Sequence, residues 1–364
     1  MAKIKHVVVV TELREEKIVD PLKETDLSIR HTEARDWNPT FRYPELLFRL
    51  TYIWITDRPD VILSHSDGIA SFISVLISII TRTPTIIRLG GDPWKTNKME
   101  RSEMWRRKKL KKYCIYYLKR ILFEITFRYS SGFLIVASSI RESILSNTGC
   151  EPENIKLIPV PRHQPKDSIA VNKDLSDKTV ILTVTNLNFK SKYLGVKHIF
   201  ESLYPILENK RDFLYIIAGG GQYYSDLVKD INNIFADSSV RWKVNAIGYV
   251  NNISYFYGIS DIFVYNSGLD GMPNVLLESQ SWGIPVLTNN SFGVADYADK
   301  RNAETGIIEY SNSKDFRRIF ECLYSSKGYR ENIGGSGKEY ISEHHSNYTV
   351  GIEIAEATTS IICD

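Results

Sequence analysis

Residues 261–290 read DIFVYNSGLDGMPNVLLESQSWGIPVLTNN. The apolar, β-branched run 262–265 predicts a strand. A Gly-rich turn follows over 267–271, then a helix over 273–282 and a second strand over 284–288. Pro273 suits a first helical position, where its missing N–H costs nothing. Gly283, Ile284 and Pro285 stop the helix. The mouth of such a helix collects backbone amides and the positive end of the helix dipole, which together favour an anion.

Two carboxylates flank that mouth. Asp270 lies in the turn, and Glu278 lies in the helix four residues after Asn274, on the same face. Amides hold phosphate, and carboxylates accept hydrogen bonds from hydroxyls. A phosphorylated, hydroxyl-rich ligand such as a nucleotide-sugar suits both. The same residues also suit a plain capped helix, with Asp270 as a turn residue and Glu278 on a solvated face.

The chain has 364 residues, enough for two domains. Hydrophobic residues at 43% and charged residues at 24% are ordinary for a globular protein. A net charge of +3 is too small to argue for nucleic acid, and none is expected as a partner. Cys114, Cys150, Cys322 and Cys363 are scattered, with no Cys-x-x-Cys pair. That argues against zinc and against a disulfide framework, and fits a reducing cytoplasm. The first residues, MAKIKHVVVVTELREE, read as a buried strand and not a signal peptide. The longest apolar segment, 69–80, is too short to span a bilayer and predicts a buried helix.

Short apolar runs at 6–10, 61–64, 85–88, 132–136 and 155–159 alternate with helical segments. That is the pattern of a parallel sheet covered on both faces. Strands at 179–184, 213–218, 242–247, 262–265, 285–288 and 306–308 repeat it. Residues 161–178 are polar, carry two prolines and lack periodicity, as a linker does. The reading is α/β, with two Rossmann-like doubly wound domains facing a central cleft. An N-terminal domain spans 1–165, a linker 166–178 and a C-terminal domain 179–345.

The run from Asp270 to Glu278, DGMPNVLLE, followed by Gly283-Ile284-Pro285-Val286, resembles the signature of family-4 glycosyltransferases. That signature has an acid, usually Glu, seven residues, then Glu. Asp270 stands where Glu is usual and is one methylene shorter. The resemblance implies the GT-B fold, a last segment 346–364 that crosses back to the N-terminal domain, and sugar transfer with retention. It implies a nucleoside-diphosphate-sugar donor, UDP- or GDP-linked, and a hydroxyl acceptor in glycan, polysaccharide or lipid-linked oligosaccharide assembly. By resemblance Glu278 holds the ribose and Asp270 the donor sugar. Gly271 and the amides near Met272, Asn274 and Val275 complete the phosphate cradle.

The family usually reads G-R-L-x-x-x-K-G after the first strand of this domain. Here Asn186 stands where Arg is expected, and Lys190 and Lys192 compete for the Lys position. Lys192 is favoured because Leu194-Gly195-Val196 resembles the start of the family's next helix. Breaking a sugar–phosphate bond puts charge on the diphosphate, and a preorganised donor there is worth about 3 kcal/mol. The chain has no Asp-x-Asp pair, and the fold implies no metal or other cofactor for the chemical step. Gly219, Gly220 and Gly221, and Phe292-Gly293-Val294, are weaker candidates at strand ends.

In the first domain, Arg88-Leu89-Gly90-Gly91-Asp92-Pro93-Trp94 follows a strand, and Arg and Trp can grip a sugar. The family's His falls on Gly90, so Asp92 is the substitute candidate as base or acceptor. The alternative is a structural turn. His65 is a further loop candidate. The family's glycine pair after the first strand is replaced by Thr11-Glu12. Residues 95–120 are strongly basic with interleaved aromatics. They suit peripheral contact with an anionic membrane at its inner face, or a solvated face beside a buried stripe. A non-catalytic sugar-nucleotide or glycan-binding protein and a sugar-nucleotide epimerase on the same scaffold are the rival readings.

Overall fold

The computed structural model describes residues 4–12, 15–34, 39–66, 68–162, 177–208, 210, 212–234, 241–268, 271–289, 296 and 304–363. The chain divides into unit 1, Met1–Pro161 with His345–Asp364, and unit 2, Arg162–His344. Most of the expected linker, 166–178, lies outside the described residues.

Unit 1 contains β1 (His6–Thr11), α1 (Val19–Lys23), β2 (Ser28–Glu33), α2 (Pro39–Asp57), β3 (Val61–His65) and α3 (Ile69–Thr81). It continues with β4 (Thr85–Leu89), α4 (Pro93–Arg106), α5 (Leu110–Arg128), β5 (Gly132–Ile135), α6 (Ser138–Thr148) and β6 (Ile155–Leu157). The sheet order is β2-β1-β3-β4-β5-β6, and the strand pairs are parallel. β1 is a run of four valines because both faces of the strand are covered. Val7 and Val9 face a core with Ile18, Leu22 and the C-terminal helix. Val8 and Val10 face Leu46 and Leu50 of α2 and Ile73 and Ile77 of α3.

Unit 2 contains β7 (Thr179–Val184), α7 (Lys190–Leu207), β8 (Phe213–Ala218), α8 (Tyr224–Ile234), β9 (Val244–Gly248) and α9 (Ile253–Ile259). Then come β10 (Ile262–Tyr265), α10 (Asn274–Ser281), β11 (Val286–Asn289), β12 (Ile307–Tyr310), α11 (Ser313–Ser325) and α12 (Lys327–His344). The parallel order is β12-β11-β10-β7-β8-β9. This is the doubly wound order, with its topological switch point between β7 and β10.

The last helix, α13 (Asn347–Cys363), packs in unit 1, where Val350, Ile354 and Ile361 join the buried core. It lies so close to α1 that a Cβ on Gly351 would fall 2.1 Å from the Pro21 carbonyl oxygen. His345, fully buried just before it, donates from Nδ1 to the Val160 carbonyl at 2.7 Å.

Four local expectations need correction. Strand β2 was not legible, because it is an edge strand of mostly polar residues in which exposed positions alternate with half-buried or buried ones, with Arg30 paired to Asp57 at 3.1 Å. Pro273 is the N-cap of α10 and not its first residue. The basic stretch forms two helices, α4 and α5, broken where Lys108 adopts a left-handed φ of 55°. Finally, α3 is buried on one side only: Leu76, Ile79 and Ile80 face solvent.

The contact at Gly351 yields a stability prediction. Gly351→Ala lowers stability by about 1–3 kcal/mol through overpacking. Gly335→Ala, where nothing lies within 4 Å, is neutral or stabilising. Urea unfolding of both variants checks this; equal stabilities would mean that α13 does not need the close approach.

Candidate functional site

Three loops gather at the C-terminal edge of the unit 2 sheet, following β7, β8 and β10. Residues Thr185–Asn188 and Gly219–Gln222 bind each other through backbone groups. Thr185 N donates to Ala218 O at 3.0 Å, Leu187 N to Gly220 O at 2.9 Å and Tyr223 N to Leu187 O at 3.0 Å. Gly219 and Gly221 have φ of 149° and 146°, and a Cβ on either would strike the backbone of Thr185 or Leu187. These glycines are therefore required for the two loops to meet. Gly220 lies against Tyr249.

Asn186, where arginine is expected, is exposed. Its Oδ1 accepts from Asn188 N at 2.9 Å, and so closes a local turn. Asn188 Oδ1 in turn accepts from Gln222 N at 3.3 Å.

The two lysines part company on α7. They are two residues apart, which puts them on nearly opposite sides of the helix. Lys190 is exposed, whereas Lys192 is half-buried. Lys192 is one turn before Gly195, and a Cβ on Gly195 would fall 2.1 Å from the Asn266 carbonyl oxygen. Lys192 therefore shares the side of α7 that meets the loop after β10. Two neighbouring hydroxyls, Thr185 Oγ1 and Ser191 Oγ, are buried without a hydrogen-bond partner in the protein.

The loop after β10 is anchored at its start. Asn289, at the end of β11, accepts from Ser267 N and donates to Ser267 O, both at 3.1 Å. Asn266 Nδ2 donates to the Tyr310 hydroxyl at 2.6 Å. Gly271, Met272 and Pro273 are buried and lead into α10. The amides of Asn274 and Val275 lie at the helix mouth, where proline provides no capping side chain. Asn274, Val275 and Glu278 are half-exposed, while Leu276, Leu277 and Gln280 point into the core. Asp270 and residues 292–294 lie outside the described residues.

Glu278 has a partner that the sequence did not reveal. Tyr257 of α9, buried to 2% exposure, donates from its hydroxyl to Glu278 Oε2 at 2.8 Å. Burial, and then the Glu278 charge, hold the Tyr257 phenol well above its usual pKa, so it stays a donor. One carboxylate oxygen is thus fixed, and the half-exposed side chain keeps acceptor capacity for a ligand. Nothing in the spacing of ISYFYGI marks this tyrosine over its neighbours.

In unit 1 the residues expected to grip a sugar have partners within the protein. Arg88, 2% exposed, donates to the carbonyls of Lys17 and, at 3.2 Å, Pro159. Trp94 lies edge-on to Phe123 and Phe127, with centroids 5.7 and 5.4 Å apart. Asp92 Oδ1 caps α4 by accepting from Lys95 N at 3.0 Å, and Oδ2 accepts from Ser143 Oγ at 2.5 Å. This is the structural-turn alternative, and it engages both oxygens. Gly90 and Gly91 have open space around them. His65 ends β3.

Glu12, where the family has glycine, fills the mouth of α3. Its oxygens accept from Ala70 N at 3.0 Å and Ser66 Oγ at 2.8 Å, a favourable place for a carboxylate.

Among the described residues no group of three or more His, Cys, Asp or Glu is arranged to hold a metal ion. Residues 166–340 match the family described as glycosyl transferases group 1. The chain is 30% identical over 184 residues to the capsular polysaccharide biosynthesis glycosyltransferase CapM of Staphylococcus aureus, covering 50% of this chain and 46% of that protein. It is 29% identical over 163 residues to an Escherichia coli galactosyltransferase acting on GlcNAc-diphosphoundecaprenol, covering 42% and 41%. The match thus spans less than half the length of these relatives. Over 98% of this chain and the whole of the other, the fold is similar to that of HepE from Anabaena, solved with UDP, at a TM-score of 0.68 and 13% identity. Sucrose-phosphate synthase from Thermosynechococcus elongatus is similar at a TM-score of 0.67 and 10% identity, over 99% of each chain. With two parallel six-stranded sheets the chain has the GT-B architecture, and its segment 166–340 matches the family of glycosyl transferases group 1.

Proposed function

We propose that the chain is a retaining, metal-independent glycosyltransferase. It moves a sugar from a nucleoside-diphosphate-sugar to a hydroxyl of a glycan or lipid-linked acceptor, at the inner face of a membrane. The observation that carries this is the pairing of Glu278, oriented by Tyr257, with the mouth of α10 at the switch point of unit 2. The relatives named for capsule assembly and for transfer onto a diphosphoundecaprenol-linked sugar support the acceptor class. HepE, solved with UDP, supports a uridine donor.

In this reading Glu278 accepts from the ribose hydroxyls. The amides of Met272, Asn274 and Val275 hold phosphate oxygens, with Gly271 leaving room for them. Lys192 neutralises charge as the sugar–phosphate bond breaks. Asp270 takes the donor sugar. Asp92, which caps α4, is the candidate base or acceptor.

Asn186 supports one rival. Its turn leaves the site without the expected arginine charge, as in a protein that binds sugar-nucleotides without turning them over. Release of free sugar from donor alone separates the two readings: slow hydrolysis marks an enzyme, and binding without turnover marks the module.

A thermal-shift series with UDP-, GDP- and ADP-sugars identifies the donor, because bound ligand stabilises the fold by mass action. UDP-sugars are expected to give the largest shift, and no response to any donor would remove the proposal. Glu278→Gln weakens donor binding about ten- to a hundredfold in calorimetry, the value of a charge-assisted hydrogen bond of about 1.5–3 kcal/mol. Tyr257→Phe frees Glu278 to rotate and weakens binding by a smaller factor, with kcat changed less than KM. Lys192→Ala lowers kcat more than Lys190→Ala; equal losses would remove Lys192 from the diphosphate.

A further inference from the structure

On one face of the unit 1 sheet, α3 packs between α2 and α5. The inward sides of these helices are buried through residues such as Leu50, Ile77 and Phe127. Their outward sides are apolar as well. α2 presents Phe41, Phe48, Tyr52 and Ile55 in one stripe, each between 57% and 72% exposed. α3 contains no charged residue, and Ile79 and Ile80 on its outer side are 56% and 70% exposed. Of the 25 exposed large apolar side chains among the described residues, 15 lie on α2, α3 and α5. A surface protein face rarely gathers so much apolar area unless something covers it.

The charge around this face indicates what covers it. Residues 95–120 hold 11 Lys and Arg against two Glu, while the rest of the chain holds 35 Lys and Arg against 41 Asp and Glu. The basic excess is therefore local. It centres on the turn between α4 and α5, where residues 106–112 are all exposed. A second copy seated on this face by a twofold axis would bring two such stretches together, like charge against like. An anionic bilayer meets both features at once: its boundary takes the apolar side chains, and its phosphates meet the lysines and arginines.

We propose that the outer face of α2, α3 and α5 docks on an anionic lipid surface, with Phe48 and Ile80 entering the headgroup boundary and residues 106–112 lying on the phosphates. No described helix is long and apolar enough to cross a membrane. The docking extends the proposed lipid-linked acceptor, which would be reached at that surface. It is tested without donor or acceptor, so its failure and the failure of the donor assignment are separate results.

The full chain is sedimented with vesicles of phosphatidylcholine alone and with phosphatidylglycerol added. Binding is expected only to the anionic vesicles, and high salt releases it. Phe48→Glu/Ile80→Glu and, separately, Lys111→Glu/Lys112→Glu are expected to weaken binding at least tenfold. Unchanged melting temperature and unchanged nucleotide-sugar affinity show that these variants are folded. Equal binding to neutral vesicles, no binding to either, or wild-type binding by Phe48→Glu/Ile80→Glu would overturn the proposal. So would a wild-type dimer in light scattering that the same variant dissociates, because the occupant would then be a second copy.

Discussion

The site in unit 2 depends on how closely backbone meets backbone at the switch point. α7 rests on the loop after β10 because residue 195 has no side chain; a methyl group there would lie 2.1 Å from the Asn266 oxygen. The loops after β7 and β8 interlock because Gly219 and Gly221 occupy backbone conformations closed to other residues. These approaches bring the start of α7 and the start of α10 to one sheet edge. Two helix N-termini and the half-buried Lys192 thus lie toward the same edge of the sheet.

On α10 the Glu278 carboxylate is oriented from α9. The Tyr257 hydroxyl is buried and kept protonated, so it can only donate to Glu278. A flexible glutamate becomes an acceptor of set direction. The same economy appears at the mouth of α3 in unit 1, with opposite effect. There Glu12 occupies the anion position itself, and the helix end that could have met phosphate is closed by the chain's own carboxylate. The two sheets thus share a topology class while their helix mouths differ in chemistry.

The family match covers 166–340, which falls in unit 2, whereas the fold likeness runs through nearly the whole chain. That division agrees with where the two kinds of constraint lie. A phosphate cradle requires particular residues at particular spacings. The unit 1 sheet requires only apolar strands and helices that cover them, and its outer surface is free to diverge. The apolar outer layer of α2 and α3 beside a basic turn is such a divergent feature.

The sequence by itself determined the alternating α/β order, the strand–turn–helix of 262–281 and the carboxylate at 278, because periodicity, glycine and proline act locally. It also determined that a basic, aromatic stretch lies between the strands read at 85–88 and 132–136. Only the tertiary structure decided that Lys192 is half-buried while Lys190 is exposed, since a two-residue offset has meaning only once α7 is seated on Asn266. It alone showed that Asp92 caps a helix, that Arg88 bridges two carbonyls and that Trp94 packs against two rings. It alone supplied Tyr257, from another helix 21 residues away, as the partner of Glu278. The physical reason is the same in each case: a side chain's role is set by which groups lie within about 3 Å of its polar atoms, and packing brings those groups from distant parts of the chain.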